Sequence, residues 1–516
     1  MNLTTDAWIP IVWNGGKPGT VNLLEAFGRG HEIQDLAVRP HERIAVMRLL
    51  LCVAQAALDG PGNLDEWKLC RPRISPSAIN YLDRWRRAFE LLGDSERFLQ
   101  LSNLRVTTSS ADDEGEGNLT SKLDVALATG NNSTLFDNAG GAQRDFAPAE
   151  LALMLVSFQC FSPGGRIGVA MWNGKQTPGR GSSNHAPCLA EGMLHTLLRG
   201  DNLLATLHSN LLNKEQIQQL FVQGSWGKPV WELRPLSLDD DKAVQNATRT
   251  YLGRLVPLAR AIWLSAEGRS LVLANGLEYA SYKEGWREPS ATIITRTVKG
   301  QPRREVLRAS TARAVWRELH ALTVKGIGEK PGGPAALANL AGDEDDFDLW
   351  VGGLVASRAK LVDTTESVFH LPAAILTETS QRVYEDGVRH AEAVDRRLMG
   401  AVSVYHQQLG DKIDRPEMKD RQRQIQRQTA AQFWTDVEQV LPRLLEIAAA
   451  PSRLGLRGEW SKTLWGRAVW SAALEAYERT SPHGTPRQIQ AYALGLQKFY
   501  ASAGQGTAET EEEEES

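Results

Sequence analysis

Residues 347–372 read FDLWVGGLVASRAKLVDTTESVFHLP, and this stretch decides how the chain is organised. It is rich in β-branched and aromatic residues on both sides of a short basic segment, VASRAK. That composition is typical of two strands joined by a turn. Strand signals stop after Pro372. We therefore expect the strands of the protein to end here and a different architecture to follow.

Long helical patterns fill residues 373–505 and are broken at Pro416, at Pro451 and at residues 481–484. Proline and glycine interrupt helices, so these breaks leave about four helices. Four helices of this length are typical of a four-helix bundle.

The sequence thus predicts the α+β fold class. A large mixed α/β N-terminal domain covers residues 1–375, and a C-terminal four-helix bundle covers residues 376–505. Residues 506–516 are acidic and of low complexity, and we expect them to be disordered. Within the first domain the pattern predicts a hairpin at Asn-Gly-Gly in residues 1–25, strands between residues 227 and 310, and helices over Pro40–Leu58, 76–93, 147–161 and 311–323.

The charge balance excludes a strongly basic nucleic-acid binder. The chain has 58 basic and 62 acidic residues, a formal net charge of −4. Six of those acids lie in the last eight residues, which leaves 56 acidic residues in the rest of the chain. A nearly neutral body is still compatible with local basic patches.

The cysteines and the N-terminus indicate the compartment. Four cysteines without a CxxC pair suit a reducing environment. The first residues lack the basic and apolar regions of a signal peptide, and no apolar run reaches the roughly 18–20 residues of a membrane helix. We expect a cytoplasmic protein with no membrane partner.

No motif assembles a catalytic site. The chain has no phosphate-binding loop, no nucleophile elbow and no HExxH motif. The acidic run DEDDFD at residues 343–348 could bind a divalent cation or be a solvated turn, and His185 with Cys188 lacks the other ligands of a zinc site. A binding protein with no catalytic residue, metal or cofactor is favoured, and a metal-dependent nuclease or a purely structural complex subunit is the alternative.

Three loops have residues suited to nucleic acid. In GNNSTLFDN, residues 130–138, amide side chains can bond to base edges and Phe136 can wedge between bases, or the apolar pair can tuck into the core. In FSPGGRIG, residues 161–168, adjacent glycines allow close approach of the backbone to a ligand, or simply end a helix. The basic turn SRAK, residues 357–360, suits insertion into a groove, although exposed basic turns are common.

The predicted bundle carries a basic patch. Its members are Lys412, Arg415, Lys419, Arg421, Arg423 and Arg427, and the last two are spaced i, i+4 on one helix face. Such a patch can follow a phosphate backbone, or it can be an ordinary solvated face.

Four segments in this order resemble the CasA family, the large subunit of the type I-E CRISPR complex Cascade. They are NLTTDAWIPIVWNGGKPGTVNL at 2–23, ATGNNSTLFDN at 128–138, FQCFSPGG at 158–165 and VGGLVASRAKLVDTTESVFHLP at 351–372. The resemblance covers most of the chain.

The resemblance implies a function without catalysis. CasA-like proteins belong to a crRNA-guided antiviral surveillance complex and recognise the protospacer-adjacent motif (PAM) in duplex DNA, largely from the minor groove. They start strand separation and R-loop formation and dock a helicase–nuclease. The implied partners are therefore other Cascade subunits, crRNA, double-stranded target DNA and the helicase–nuclease. Guide pairing reads the sequence, while protein reads only the short motif.

The resemblance also assigns site residues. The first DNA loop falls on Asn131, Asn132, Thr134, Phe136 and Asn138, the glycine loop on Gly164 and Gly165, and the wedge hairpin on Arg358, Ala359 and Lys360. Some members have Gln where this chain has Arg358, so the PAM preference can differ. The minor-groove lysine of the family has no clean match, and Lys283 is its candidate here. Some members carry paired cysteines, which this chain lacks, so we expect no zinc.

Overall fold

A computed structural model describes residues 1–93, 96–106, 118–126, 144–164, 167–179, 186–221, 225–328, 330–340, 346–357, 360–409, 416–451 and 459–501. The chain forms two compact units. The first consists of Met1–Val315 and Ala321–Leu371, and the second of Trp316–His320 and Pro372–Ser516. Helices and strands mix in the first unit, and the C-terminal part is helical, which confirms the predicted α+β class. The predicted domain limits and the four-helix count stay predictions.

The first unit begins with a small antiparallel sheet, ordered β2-β1-β3. Its strands are β1 (Ile9–Trp13), β2 (Pro18–Val21) and β3 (Ile33–Leu36). Gly15 and Gly16 turn the chain between β1 and β2 at φ of 91° and 82°, a backbone region that favours glycine. The hairpin predicted from Asn-Gly-Gly is therefore confirmed. Helix α1 (Leu23–Gly28) follows, with a capping box between Asn22 and Glu25.

Helix α2 (Pro40–Leu58) has the predicted bounds and is buried along most of its length. Helix α3 (Leu64–Trp85) begins twelve residues before the predicted start at residue 76. Asn63 caps it by accepting a hydrogen bond from the amide of Glu66, and Trp67 already packs into the core. The predicted start was wrong, because α3 continues through Pro72 and Pro76, which both lie on its exposed side.

The remaining elements of the first unit follow in chain order. They are β4 (Leu104–Val106), β5 (Asn118–Leu119), α4 (Pro148–Phe161), β6 (Ala170–Trp172), β7 (Lys175–Gln176), β8 (His195–Arg199), α5 (Leu203–Asn210), α6 (Lys214–Leu220), α7 (Asp241–Arg249), α8 (Tyr251–Leu255), β9 (Arg260–Leu264), β10 (Ser270–Asn275), β11 (Ile293–Val298) and β12 (Gln301–Val306). Their sheets are ordered β4-β6-β7, β5-β10-β9 and β11-β12. The helix predicted over residues 311–323 is only a 3₁₀ turn, Val315–Glu318, and a four-residue helix, α9 (Leu319–Leu322).

The stretch at residues 347–372 contains the predicted hairpin. Strands β13 (Phe347–Ser357) and β14 (Lys360–Leu371) pair antiparallel, and β8 pairs with the other edge of β13. Leu349, Val351 and Leu354 of β13 are buried. The central position of β13 between two strands explains its apolar run of residues.

Three buried ionic side chains lie in the core of the first unit. The Glu288 carboxylate accepts a hydrogen bond from Arg48 Nη1 at 2.8 Å and from Arg254 Nη2 at 2.7 Å. Arg48 also donates to the carbonyl oxygens of Leu255 and Arg254, at 2.9 and 2.6 Å. Each of the three residues is at most 4% exposed, so the charges compensate one another inside the protein.

The described residues of the second unit contain five long or medium α-helices. These are α10 (Glu378–Gln408), α11 (Pro416–Gln439), α12 (Leu441–Ala449), α13 (Leu464–Thr480) and α14 (Pro486–Ala501). Pro442 lacks the amide hydrogen that would continue α11, so α12 starts as a separate helix. Trp316 is buried against Trp434 and Trp465, with ring centroids 5.9 and 6.2 Å away.

Within the described ranges, no helix combines the length and the apolar composition needed to cross a bilayer.

The ionic triad makes a prediction about acid stability. Burial alone would raise the pKa of Glu288, but the charges and hydrogen bonds of Arg48 and Arg254 outweigh burial and hold this pKa at about 2, below the ordinary 4.5. The stabilisation is therefore present above about pH 4.5 and lost as the pH falls toward 2.

We expect Glu288→Gln to lower the free energy of unfolding by about 3–5 kcal/mol at pH 7. Chemical denaturation at pH 7 and at pH 3 should also show that the free energy of unfolding falls less with pH in the variant than in the wild-type protein. Parallel curves for the two proteins would contradict the assignment, and Glu305→Gln, in a surface pair, serves as the control.

Candidate nucleic-acid interface

Many of the expected contact residues lie outside the described residues. These are Asn131, Asn132, Thr134, Phe136 and Asn138 of the first loop, Gly165 of the glycine loop, Arg358 and Ala359 of the hairpin, and Lys412 and Arg415 of the bundle patch. Lys360 is the first residue of β14, and Lys419 lies in α11. Gly164, Lys283, Arg423 and Arg427 can be described.

Gly164 lies just after the C-terminal end of α4, where the sequence predicted a helix stop. Ser162 is the C-cap and donates its amide hydrogen to the carbonyl of Phe158 at 2.8 Å. The carbonyl of Ser162 accepts from the amide of Ala186 at 3.0 Å, and that of Pro163 accepts from Arg260 at 2.8 Å. Gly164 itself is buried, so it is the anchored start of the glycine loop.

Lys283 is exposed at the edge of a basic cleft. It lies in the middle of a 3₁₀ turn, Tyr282–Glu284, in which the Ser281 amide donates to the Glu284 carboxylate at 2.8 Å. Gly285 ends the turn at φ 89°. The cleft has a volume of about 590 Å³ and is lined by Leu220, Tyr282, Lys283, Gly285, Arg287, Arg303, Arg304, Glu305, Arg308 and Gly328.

The lining of this cleft carries five basic side chains and one acidic side chain. The acidic one, Glu305, is paired with Arg296 at 3.1 Å. Arg287 is 1% exposed and donates to the carbonyls of Gly332 and Gly333, and burial lowers its pKa to about 10. A cleft with this excess of positive charge attracts anions, and guanidinium groups match phosphate geometry.

One wall of the cleft is an exposed β-ribbon made of β11 and β12, which pair only with each other in the described sheets. Residues 295–304 are all exposed. Lys299 and Gly300 form the tip at φ of 51° and 77°, the two positive values of a tight hairpin turn. A two-stranded ribbon is one of the elements that fits into a groove of duplex DNA.

These two strands were predicted from the sequence, whereas the cleft beside them was not. The available signal was the density of basic residues: Arg296, Lys299, Arg303, Arg304 and Arg308 fall within thirteen positions that hold one acid. Lys283 joins them only because the fold places its turn beside β12.

Buried arginines hold the backbone that leads to Lys283. Arg254 Nη2 donates to the carbonyl of Ala280 at 3.0 Å while it binds Glu288. Its guanidinium also lies 4.9 Å from the ring centroid of Trp286, a cation–π distance. Arg254, one arginine of the ionic triad, therefore contacts the chain on both sides of the turn that carries Lys283.

The described part of the acidic run is engaged with a histidine. His370 Nδ1 lies 2.8 Å from Asp348 Oδ1, and His370 Nε2 lies 3.5 Å from Asp346 Oδ2. The hydrogen bond to Asp348 raises the pKa of His370. The described residues hold no group of three or more His, Cys, Asp or Glu side chains arranged to bind a metal ion.

In the second unit, Arg423 and Arg427 are both exposed on α11. Arg423 is paired with Asp420 at 3.3 Å, whereas Arg427 has no acidic partner within 4 Å among the described residues. A surface pair of this kind contributes little and can be exchanged for a phosphate contact.

The described residues thus combine an exposed basic ribbon with a cleft rich in arginine, an arrangement that attracts anions. The family model described as CRISPR-associated protein Cse1 matches residues 2–476. The chain therefore belongs to the Cse1 family, also called CasA, which confirms the resemblance inferred from the four segments.

Individual relatives agree over nearly the whole chain. The CRISPR-associated protein CasA/Cse1 of Thermus thermophilus is 28% identical over 528 residues, covering 96% of each chain. The crystal structure of Cse1 from Acidimicrobium ferrooxidans is similar with a TM-score of 0.75 at 19% identity, over 97% of each chain. A chain of a CRISPR RNA-guided surveillance complex is similar with a TM-score of 0.69 at 18% identity, over 97% of this chain and 99% of that chain. The structural matches show that the fold is shared.

The exposed position of Arg423 and Arg427 leads to a prediction for the assembled complex. Replacing both with Glu should flatten the dependence of DNA affinity on salt, because each lost phosphate contact removes about 0.9 from the slope of log K against log salt. The slope can be measured by filter binding between 50 and 300 mM salt. Arg487→Glu with Lys498→Glu, the same charge change on α14, is the matched control. If both double variants change the slope equally, the α11 patch has no specific role.

Proposed function

We propose that this chain, as the large subunit of a crRNA-guided antiviral surveillance complex, recognises the PAM in duplex DNA from the minor groove and starts R-loop formation. The observation that carries the proposal is the basic cleft: it joins Lys283, the candidate minor-groove lysine, to arginines on an exposed ribbon. Membership of the Cse1 family and the shared fold with a chain of a surveillance complex support the same assignment.

The cleft suits a phosphate backbone beside a lysine that reaches base edges. Arg303 and Arg308 are exposed at its rim and would neutralise phosphates without reading sequence. Lys283 has the long, flexible cation that can enter a minor groove. Because the minor groove distinguishes base pairs poorly, recognition of the motif should be tolerant.

The glycine loop and the hairpin would act next to this contact. The backbone after Gly164 can approach a groove closely because Gly165 has no side chain. The tip of the β13–β14 hairpin carries Arg358 and Lys360 and would hold the first separated base pairs apart. Each stacked step that opens costs about 1.4 kcal/mol, and contacts between the basic tip and displaced phosphates offset part of that cost.

The partners follow from this role: other Cascade subunits and crRNA, the target duplex, and a helicase–nuclease that docks on the complex. No step of the mechanism requires catalysis by this chain. Cleavage of DNA by the isolated chain in Mg²⁺ would instead support the metal-dependent nuclease. Assembly of a complex whose DNA affinity is independent of the PAM would support the purely structural subunit.

The cleft is tested by removing its exposed arginines. In the reconstituted complex, Arg303→Ala with Arg304→Ala should weaken binding to duplexes with and without a PAM alike, and should reduce the salt slope by about two. Gel shifts at several salt concentrations measure both quantities, and the complex lacking this chain gives the baseline. Arg382→Ala with Arg389→Ala, two paired surface arginines on α10, is the control of equal charge. An unchanged slope in the cleft variant would exclude the cleft from the DNA contact.

The hairpin is tested by changing how much work unwinding requires. Arg358→Ala with Lys360→Ala should slow R-loop formation on linear DNA more than on negatively supercoiled DNA, because supercoiling supplies part of the opening free energy. A linear target with a pre-opened bubble next to the PAM should restore the rate of the variant. An equal defect on all three substrates would argue against a wedge.

A further inference from the structure

The end of α4 is tied to the start of β9 by an unusually complete set of hydrogen bonds. Gln159, in the last turn of α4, is fully buried. Its side-chain amide donates to the carbonyls of Arg260 and Leu99 at 2.9 and 3.2 Å, and its oxygen accepts from the amide of Arg260 at 2.8 Å. The helix cannot shift along β9 without breaking these bonds.

The side chain of Arg260 continues the same connection toward the glycine loop. Nη2 donates to the carbonyl of Pro163 at 2.8 Å, and Nη1 donates to the carbonyl of Ala259 at 2.9 Å. Pro163 immediately precedes Gly164, so the guanidinium holds the last peptide before the loop. The guanidinium thus lies just beyond the C-terminal end of α4, where the helix dipole favours a positive charge.

Burial makes this arginine costly for stability alone. Arg260 is 2% exposed, and burial lowers its pKa to about 10, so it still carries its charge at neutral pH. Nη1 and Nη2 of Arg260 each donate to a backbone carbonyl. Taking a guanidinium group out of water costs free energy, and well-placed hydrogen bonds offset that cost only in part.

The backbone just before β9 also holds the chain that leads to Lys283. The carbonyl of Ala259 accepts from the amide of Gly276 at 3.2 Å, and that of Leu258 accepts from the amide of Leu277 at 2.9 Å. A Cβ on Gly276 would lie 2.3 Å from the Leu258 carbonyl oxygen, so only glycine permits this approach. From there the backbone runs through Ala280 into the turn of Lys283.

We propose that Arg260 is a positioning residue for DNA recognition, which sets the place of Pro163 and Gly164, where the glycine loop begins, relative to the turn of Lys283. This inference rests on the proposed function, because both elements must meet the same minor groove. Both elements are hydrogen-bonded to residues 258–260, the first through the side chain of Arg260 and the second through backbone carbonyls. A change at the guanidinium moves one element and leaves the other in place, so it alters discrimination between duplexes more than general affinity.

The experiment measures the ratio of affinities for PAM-bearing and PAM-lacking duplexes, using the reconstituted complex. Arg260→Gln removes the charge and shortens the side chain, so the Pro163 carbonyl loses its donor. We expect the ratio to fall by about tenfold, in line with the loss of one hydrogen bond from a charged group, while affinity for PAM-lacking duplex and its salt slope stay within about twofold. Arg260→Lys keeps a charged donor and should recover most of the ratio.

Arg97 offers a matched structural control at the other end of the same strand. It is buried, and its Nη1 donates to the carbonyl of Leu264, the last residue of β9, at 2.6 Å. Arg97→Gln should lower the melting temperature and leave the ratio unchanged. An equal fall of the ratio in Arg97→Gln, or a wild-type ratio in Arg260→Gln, would overturn the inference.

A glycine-loop variant separates this inference from the proposed function. If Gly164→Val abolishes PAM dependence and Arg260→Gln does not, the loop reads the motif and only the role of Arg260 fails. If Gly164→Val keeps full PAM dependence in an assembled complex, the assignment of the loop fails and the inference fails with it.

Discussion

The rest of the first unit depends on the two hydrogen bonds that the Glu288 carboxylate accepts from arginines. Arg48 comes from α2, Arg254 from α8, and Glu288 lies just after the turn of Lys283. A carboxylate between two guanidinium groups at 4% exposure is stable only if all three are in place, since a lost partner leaves a bare charge in the interior. The triad therefore ties the position of the candidate DNA-contact turn to the correct packing of the core.

The buried groups that fix the backbone and the exposed charged groups lie in different parts of the fold. Around Gln159, the last turn of α4 and the start of β9 are buried and joined by hydrogen bonds. The charged groups that would meet phosphates, such as Arg303 and Lys299, lie on an exposed ribbon. Buried polar bonds define geometry because they cannot be exchanged for water, whereas surface cations provide long-range attraction that depends on salt.

Local sequence patterns were sufficient to place some helices and strands and insufficient for others. Helix α2 and the β13–β14 hairpin have the expected positions because their residue periods are strong over many residues. The start of α3 was misplaced because a proline on the exposed face of a helix looks the same in sequence as a proline that ends one. The helix expected over residues 311–323 was predicted too long. The structure has only the 3₁₀ turn Val315–Glu318 and the four-residue helix α9 there.

The sequence by itself determined the mixed first part, the helical end of the chain, the family and the individual basic residues, because these follow from local pattern and from ordered motifs. Only the tertiary structure decided which cations share a cleft and which buried groups hold the glycine loop. Arg48 and Glu288 are 240 residues apart, and Gln159 and Arg260 are 101 apart. Contacts over such separations depend on how all the intervening elements pack, which no local period or propensity encodes.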